Sequence, residues 1–272
     1  MMGRADAVLG VAGRIGAAVL LAAFVLFLVA PVVVIVLMSF TDQLYLTFPP
    51  TRFALRWYAS AWEQSRWLRA AWNSIQIGTA TALASVALGT LSALAVTRGG
   101  RRWLLPFGSL VVAPMMLPHV IIAIGLYPTM LDLGLSGSYA AVVIGHTVVA
   151  TPLVFTTVAA ALRGYDHALE LAARTLGANG WRTFRFVTLP MIAGGLLIGG
   201  IFAFAVSFDE LMLALFLAGP RTETLPRLLW EHLAQSVTPT IAAVATLILA
   251  FTLLLLVAAE TLRRRKAVEP PP

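Results

Sequence analysis

Residues 133–162 read LGLSGSYAAVVIGHTVVATPLVFTTVAAAL, thirty positions without one Asp, Glu, Lys or Arg. About 20 predominantly apolar residues suffice for a helix to cross a hydrocarbon layer of ~30 Å, so this stretch is long enough to span a membrane. Five further uncharged blocks flank it, at 15–41, 70–97, 103–131, 186–208 and 232–259, each at least 23 residues long. Membrane-spanning strands would alternate apolar and polar positions over ~10 residues, and none of these blocks does. Composition agrees, with 60% hydrophobic and 11% charged residues against about 25% charged in a soluble domain. The expectation is an all-α membrane protein with six transmembrane helices. Its domain is 15–260, between a cytoplasmic N-terminus at 1–14 and a cytoplasmic tail at 261–272.

A net charge of +7 over 272 residues raises the question of nucleic acid. In a six-span chain the competing cause is the positive-inside rule, by which Lys and Arg collect in cytoplasmic segments. With both termini inside, Arg4, Arg14, Arg98, Arg101, Arg102, Arg163, Arg174, Arg182, Arg185, Arg263, Arg264, Arg265 and Lys266 are internal, 13 of the 19 basic residues. Arg52, Arg56, Arg66, Arg69, Arg221 and Arg227 are external. Orientation accounts for the basic excess, so nucleic acid is not expected as a partner and membrane lipid is. Cysteine is absent, which excludes disulfides and thiolate chemistry. The first block is too long for a secretory h-region and lacks a clear small-residue cleavage site, so it is expected to remain as a helix.

Along the chain, the first span runs through Pro31, which a membrane helix tolerates when neighbours satisfy the freed backbone groups. Trp57, Tyr58, Trp62, Trp67 and Trp72 crowd the outer segment after it. Such rings favour the headgroup level, so a short helix lying in the outer interface is expected, with an aromatic substrate cage as the alternative. The second span, about 73–96, is rich in small residues that permit close packing. The third, about 103–127, contains Pro114-Met-Met-Leu-Pro118, and two prolines four apart predict a bent or broken span; such breaks often line a pathway. The fourth, about 138–162, carries Pro152. The fifth begins near Leu189 with a small-xxx-small pair at Gly195 and Gly199, and the sixth covers about 240–259.

Catalytic constellations are missing. The only lysine, Lys266, is followed by Ala267, so no Walker-type phosphate loop exists in the chain. His119, His146, His167 and His232 show no metal-ligand spacing, and His119 and His146 are expected to be packed and hydrogen-bonded. No Gly-x-Ser-x-Gly elbow or H-E-x-x-H pair is present. The chain is not expected to be an enzyme.

The most informative inner segment is 163–190, RGYDHALELAARTLGANGWRTFRFVTLP. Residues 165–176 are good helix formers and Gly177 is placed to stop them. Asn179-Gly180 makes a turn, and 181–187 form a second short helix before Pro190 starts the next span. From the residues alone this helix–Gly–helix reads equally as a device that sits in another protein's groove or as an ordinary amphipathic loop.

The segment resembles the EAA loop of permease subunits of bacterial ATP-binding-cassette importers: E-A-A, three residues, G, nine residues, I-x-L-P. Ala172, Ala173, Gly177, Leu189 and Pro190 match in register and Val187 stands for the Ile. Leu171 occupies the family glutamate position, with Glu170 one residue earlier, a shift of about 100° around a helix. The resemblance extends over about 53–260 and narrows toward spermidine/putrescine-type permeases. It is carried further by FALRWY at 53–58, Pro114–Pro118, RGYDHALE at 163–170, SFDEL at 207–211, FLAGP at 216–220, TLP at 224–226 and VTPTIAAVAT at 237–246. It implies the type I, MetI-like importer permease fold with both termini cytoplasmic, in the bacterial inner membrane. It also implies a second permease, a homologue, as partner, together with two ATPase subunits and an extracytoplasmic substrate-binding protein. ATP and magnesium would sit on the ATPases, with no cofactor on this chain. Glu170, Leu171, Ala172, Ala173, Gly177 and Ala178 would form the coupling surface, and the cargo would be a polyamine, with an opine, thiamine, iron or another amine as alternatives.

Asp209 and Glu210 are where charge cost and resemblance meet. Each acid at the membrane midplane costs ~2.5–3.5 kcal/mol on insertion scales, so such residues face the bundle or a wet cavity. An acidic lining would attract polycations, which makes Asp209 and Glu210 candidates for the path, with Ser207 and Tyr127 as weaker ones. The alternative is that both acids lie near the outer end of the fifth span, hydrated or paired with Arg221 or Arg227. Two other functions compete. An ion-coupled secondary transporter would prefer mid-span ionisable residues and a visible inverted repeat, and a membrane scaffold would need no broken helices.

Overall fold

The computed structural model describes residues 2–99 and 104–268; Arg101, Arg102, Trp103 and the Pro270–Pro272 tail lie outside the described residues. The order of helices is α1 Met2–Ser39, α2 Arg56–Glu63, α3 Ser65–Arg98, α4 Leu104–Val112, α5 His119–Asp132, α6 Tyr139–Gly164, α7 Ala168–Thr175, α8 Gly180–Thr183, α9 Leu189–Phe208, α10 Met212–Leu217, α11 Leu225–Gln235 and α12 Pro239–Val268. Among the described residues, five stretches are long and apolar enough to cross a membrane: Gly13–Ser39, Ser65–Arg98, Tyr139–Gly164, Gly180–Phe208 and Pro239–Leu262. A bent pair, Pro106–Met116 and His119–Asp132, whose arms meet at 105°, makes a sixth when counted as one span. The first arm ends in a 3-10 turn, Ala113–Met116, and an extended Leu117 with Pro118 separates it from the second. The two prolines thus break the third span outright, because each lacks an N–H and restricts the residue before it.

The chain divides into two compact units, Met1–Glu63 with His232–Ile248, and Gln64–Glu231 with Leu249–Pro272. In the first, the segment after α1 folds back on itself. Thr41 and Phe53 form an antiparallel bridge, the Trp57 indole donates to the Thr41 carbonyl at 2.8 Å, and Ser39 Oγ meets Tyr58 Oη at 2.6 Å. The expected short helix at the aromatic cluster is α2. From Gly13 on, Ser39 is the one buried side chain of α1.

The second unit is built on α6, which packs along α3 and α9. Small residues let these helices approach. On α3, a Cβ added to Gly89 would lie 2.8 Å from Val154 Cβ and 2.9 Å from the Phe155 backbone nitrogen. On α9, one at Gly195 would lie 2.9 Å from Ala161 Cβ. Without a hydrophobic drive between helices in lipid, such close van der Waals packing is what holds them. Val154, Val158, Leu162 and Ile192 are fully enclosed there. A second cluster joins α6 to α5 and α10 through Val142, Met130, Leu213 and Leu217. Ser138 starts α6 by accepting a hydrogen bond from the Ala141 amide, an N-cap.

Three features depart from the sequence reading. The fifth long helix, α9, begins at Leu189 as expected, but α8 is not broken off from it: it runs through a π-helical turn, Phe184–Thr188, straight into α9. Pro190 lies in the first turn of α9, where a missing N–H is tolerated. Two helices, α10 and α11, follow α9 where none was expected. Trp67, assigned to the interface, is 4% exposed and belongs to the core, whereas Trp62 and Trp72 are exposed.

Candidate functional site

The loop 163–190 is organised around α7, whose end is a glycine stop. Gly177 has φ +88°, the left-handed region. Its amide donates to the Arg174 carbonyl and the Ala178 amide to the Ala173 carbonyl, both at 3.0 Å. These are the paired bonds of a Schellman motif, which satisfy carbonyls that a helix end leaves open. Asn179 then caps α8 by accepting from the Arg182 amide at 2.9 Å.

Around this turn the large apolar side chains point away from the protein. Leu171 is 66% exposed, Leu176 89%, Trp181 66% and Phe186 69%. Arg174, Arg182 and Arg185 stand exposed among them, as do Ala172 and Gly177, with Ala173 and Ala178 half-buried. Glu170 does the opposite. It is buried, and one carboxylate oxygen, Oε1, accepts from Arg98, from the Tyr165 hydroxyl and from Thr188 Oγ1, the last at 2.7 Å. The Arg98 guanidinium also reaches Thr188 Oγ1 at 3.4 Å. The structure therefore separates the predicted coupling residues: Leu171, Ala172 and Gly177 are open to a partner, and Glu170 is internal. Leu176, Trp181 and Phe186, exposed beside them, are not among the residues that the sequence pattern singled out.

The acids after α9 lie beside the break in the third span. A cavity of about 450 Å³ is lined by His119, Phe202, Ala205, Val206, Asp209, Glu210, Thr252 and Leu256. Glu210 is buried, 2.6 Å from His119 Nδ1, and its other oxygen accepts from the Leu213 amide at 3.0 Å, capping α10. Asp209 is exposed to the cavity. Partial burial, and next the Glu210 charge, hold its carboxyl above the ordinary carboxylate range. Arg221 and Arg227 do not line this cavity; Arg227 donates to the Ala214 and Ala218 carbonyls at the end of α10. Ser207 and Tyr127 are not brought to it either. Ser207 is buried against His146 Nδ1 at 2.8 Å, and Tyr127 stands on α5 outside the lining. Pro114 and Pro118 form the break itself, and His119, the first residue beyond it, supplies the contact to Glu210.

A larger cavity, about 890 Å³, holds an ion-pair network that the sequence reading did not foresee. Arg66 donates to Glu223 at 2.9 and 3.0 Å and to Glu231 at 2.7 Å. Asn73 donates to the carbonyls of Arg221 and Glu223 and accepts from the Tyr139 hydroxyl.

Comparison with known proteins places this architecture. Residues 85–268 match the family described as binding-protein-dependent transport system inner membrane component. The chain is 32% identical over 230 residues to the putrescine transport system permease protein PotI of Escherichia coli K12, covering 82% of each chain. It is 26% identical over 240 residues to the spermidine/putrescine transport system permease protein PotC of the same strain, covering 88% of this chain and 90% of that one. Its fold is similar to a chain in the crystal structure of a bacterial ABC transporter involved in import of the acidic polysaccharide alginate. That match has a TM-score of 0.71 at 17% identity and covers 96% of this chain and 98% of the other. The chain thus belongs to the binding-protein-dependent transport system inner membrane components, as a non-enzymatic, multi-pass permease subunit of an ATP-binding-cassette importer.

Proposed function

We propose that this chain forms half of the translocation path of an importer for a small polyamine of the putrescine or spermidine kind. Separate ATPase subunits, which carry ATP and magnesium, grip the loop 163–190, and both termini face them. A second, homologous permease forms the other half, and an extracytoplasmic binding protein delivers the cargo. The observation that carries this reading is the exposed surface of α7 and α8. Leu171, Leu176, Trp181 and Phe186 project from one short loop among three arginines, and large apolar side chains grouped with arginine are the composition of a protein-binding surface. Polyamine cargo is supported by the names of two relatives, PotI and PotC, and by the Asp209 carboxylate on the cavity beside the broken span.

The test is ATP hydrolysis by the complex reconstituted in lipid with its ATPases, second permease and binding protein. Putrescine or spermidine is expected to stimulate hydrolysis, while thiamine, ferric iron, an opine, a sugar and an inorganic anion leave it at the basal rate. Stimulation by one of the latter alone would assign a different cargo. Hydrolysis that ignores every solute would contradict the importer mechanism.

A further inference from the structure

We infer that Glu170 is a positioning residue for energy coupling: its carboxylate locks the coupling helix to three core spans, so that a push on the loop moves them together. The inference rests on the proposed docking of ATPases at this loop. The geometry is the convergence already described. Glu170 sits in the first turn of α7, and the donors that reach its Oε1 come from three other places. Arg98 is the last residue of α3, Tyr165 follows the end of α6, and Thr188 ends the π turn that feeds α9. Helices α3, α6 and α9 are the three that pack along one another in the core. One oxygen atom thus ties α7 to the ends of all three.

Besides this node, α7 packs on α8 and on the π turn, its neighbours along the chain. Without the node, displacement of the exposed turn would be absorbed by backbone rotation there. With it, α7 cannot move away from α3 without breaking a largely desolvated charge pair, in which the glutamate side chain is 11% exposed and the arginine 25%. Thr188 adds a second constraint, because its hydroxyl bonds Glu170 while the Arg98 guanidinium approaches the same oxygen. Grip and transmission therefore fall to different residues. Leu171, Leu176 and Trp181 face outward, and Glu170 and Arg98 face inward.

The test compares E170Q with L176D in the complete reconstituted complex, reading ATPase retention on purification and cargo transported per ATP hydrolysed. E170Q is expected to keep its ATPases and to lose transport per ATP by roughly tenfold, the upper range for residues along a coupling route. L176D is expected to release the ATPases. An assembled E170Q complex with wild-type transport per ATP overturns the inference, as does E170Q that sheds its ATPases as L176D does. Should E170Q fail to fold, the paired variant R98M/E170M, which removes both charges together, decides. Assembled and uncoupled, it supports the node; assembled and coupled, or unfolded, it overturns it. Retention of ATPases by L176D would instead count against the docking surface itself, which separates the two failures.

Discussion

Replacing Gly177 with alanine isolates backbone conformation from packing. A Cβ at this position would meet no heavy atom within 4 Å, so no neighbour has to move. What remains is φ +88°, which costs an ordinary L-residue roughly 1–2 kcal/mol. Alanine must either carry that strain or unwind the end of α7 and release the Ala173 and Arg174 carbonyls. Relaxation would move Leu176 on one side of the turn and Trp181 on the other, both part of the exposed surface. If the ATPase binds only the native turn, the strain appears as affinity, about a 5- to 30-fold weakening. Asparagine tolerates the left-handed region better and should fall between glycine and alanine; valine, branched at Cβ, should be worst. Gly164→Ala is the control, since that site also has open space but no positive φ. The assay is titration of the purified ATPase onto the permease complex in lipid nanodiscs. Equal affinities for Gly177→Ala and Gly164→Ala, or asparagine worse than alanine, would refute the reasoning.

Other substitutions probe packing, polarity and charge in turn. Gly89→Ala places a methyl against Val154 Cβ and the Phe155 backbone nitrogen. It should destabilise the α3–α6 contact by about 1–3 kcal/mol, seen as a lower Tm in detergent, whereas Gly108→Ala, whose nearest neighbour is 3.4 Å away, should leave Tm nearly unchanged. Ser207→Ala removes the hydroxyl against buried His146, whose Nε2 has no protein partner. It should cost about 1–3 kcal/mol in thermal stability while leaving the order of preferred solutes unchanged. Asp209→Asn keeps shape and removes charge, so uptake of a polyamine at low concentration should fall about tenfold in an assembled complex. In the wild type the same loss should set in on acidification at a higher pH than for an ordinary carboxylate, because a raised pKa means earlier protonation.

The spans were legible because length without charge is a one-dimensional signal, and the break at Pro114 and Pro118 because proline acts on its own backbone. Gly177 was legible for the same local reason. Partners distant in sequence were not. Glu170 reads as an exposed helix acid until Arg98, 72 positions away, is folded onto it. The partner of Ser207, His146 on α6, lies 61 positions away and was equally out of reach of the sequence. The start of α9 at Leu189 was legible, but its continuity with α8 was not, because a proline in a first helical turn reads as a fresh N-terminus and here a π turn leads into it. Helices α10 and α11 are short, and α10 takes its N-terminal cap from Glu210, a residue read first for its charge.

The protein has no cysteine, so Leu176→Cys introduces a single thiol at the most exposed apolar position of the loop. Cross-linking from that thiol in native membranes, with and without ATP, addresses the coupling surface most directly. An adduct with the ATPase subunit that changes in yield with nucleotide is the expected result. A thiol that labels freely with water-soluble maleimide in every nucleotide state and never joins an ATPase would contradict the account.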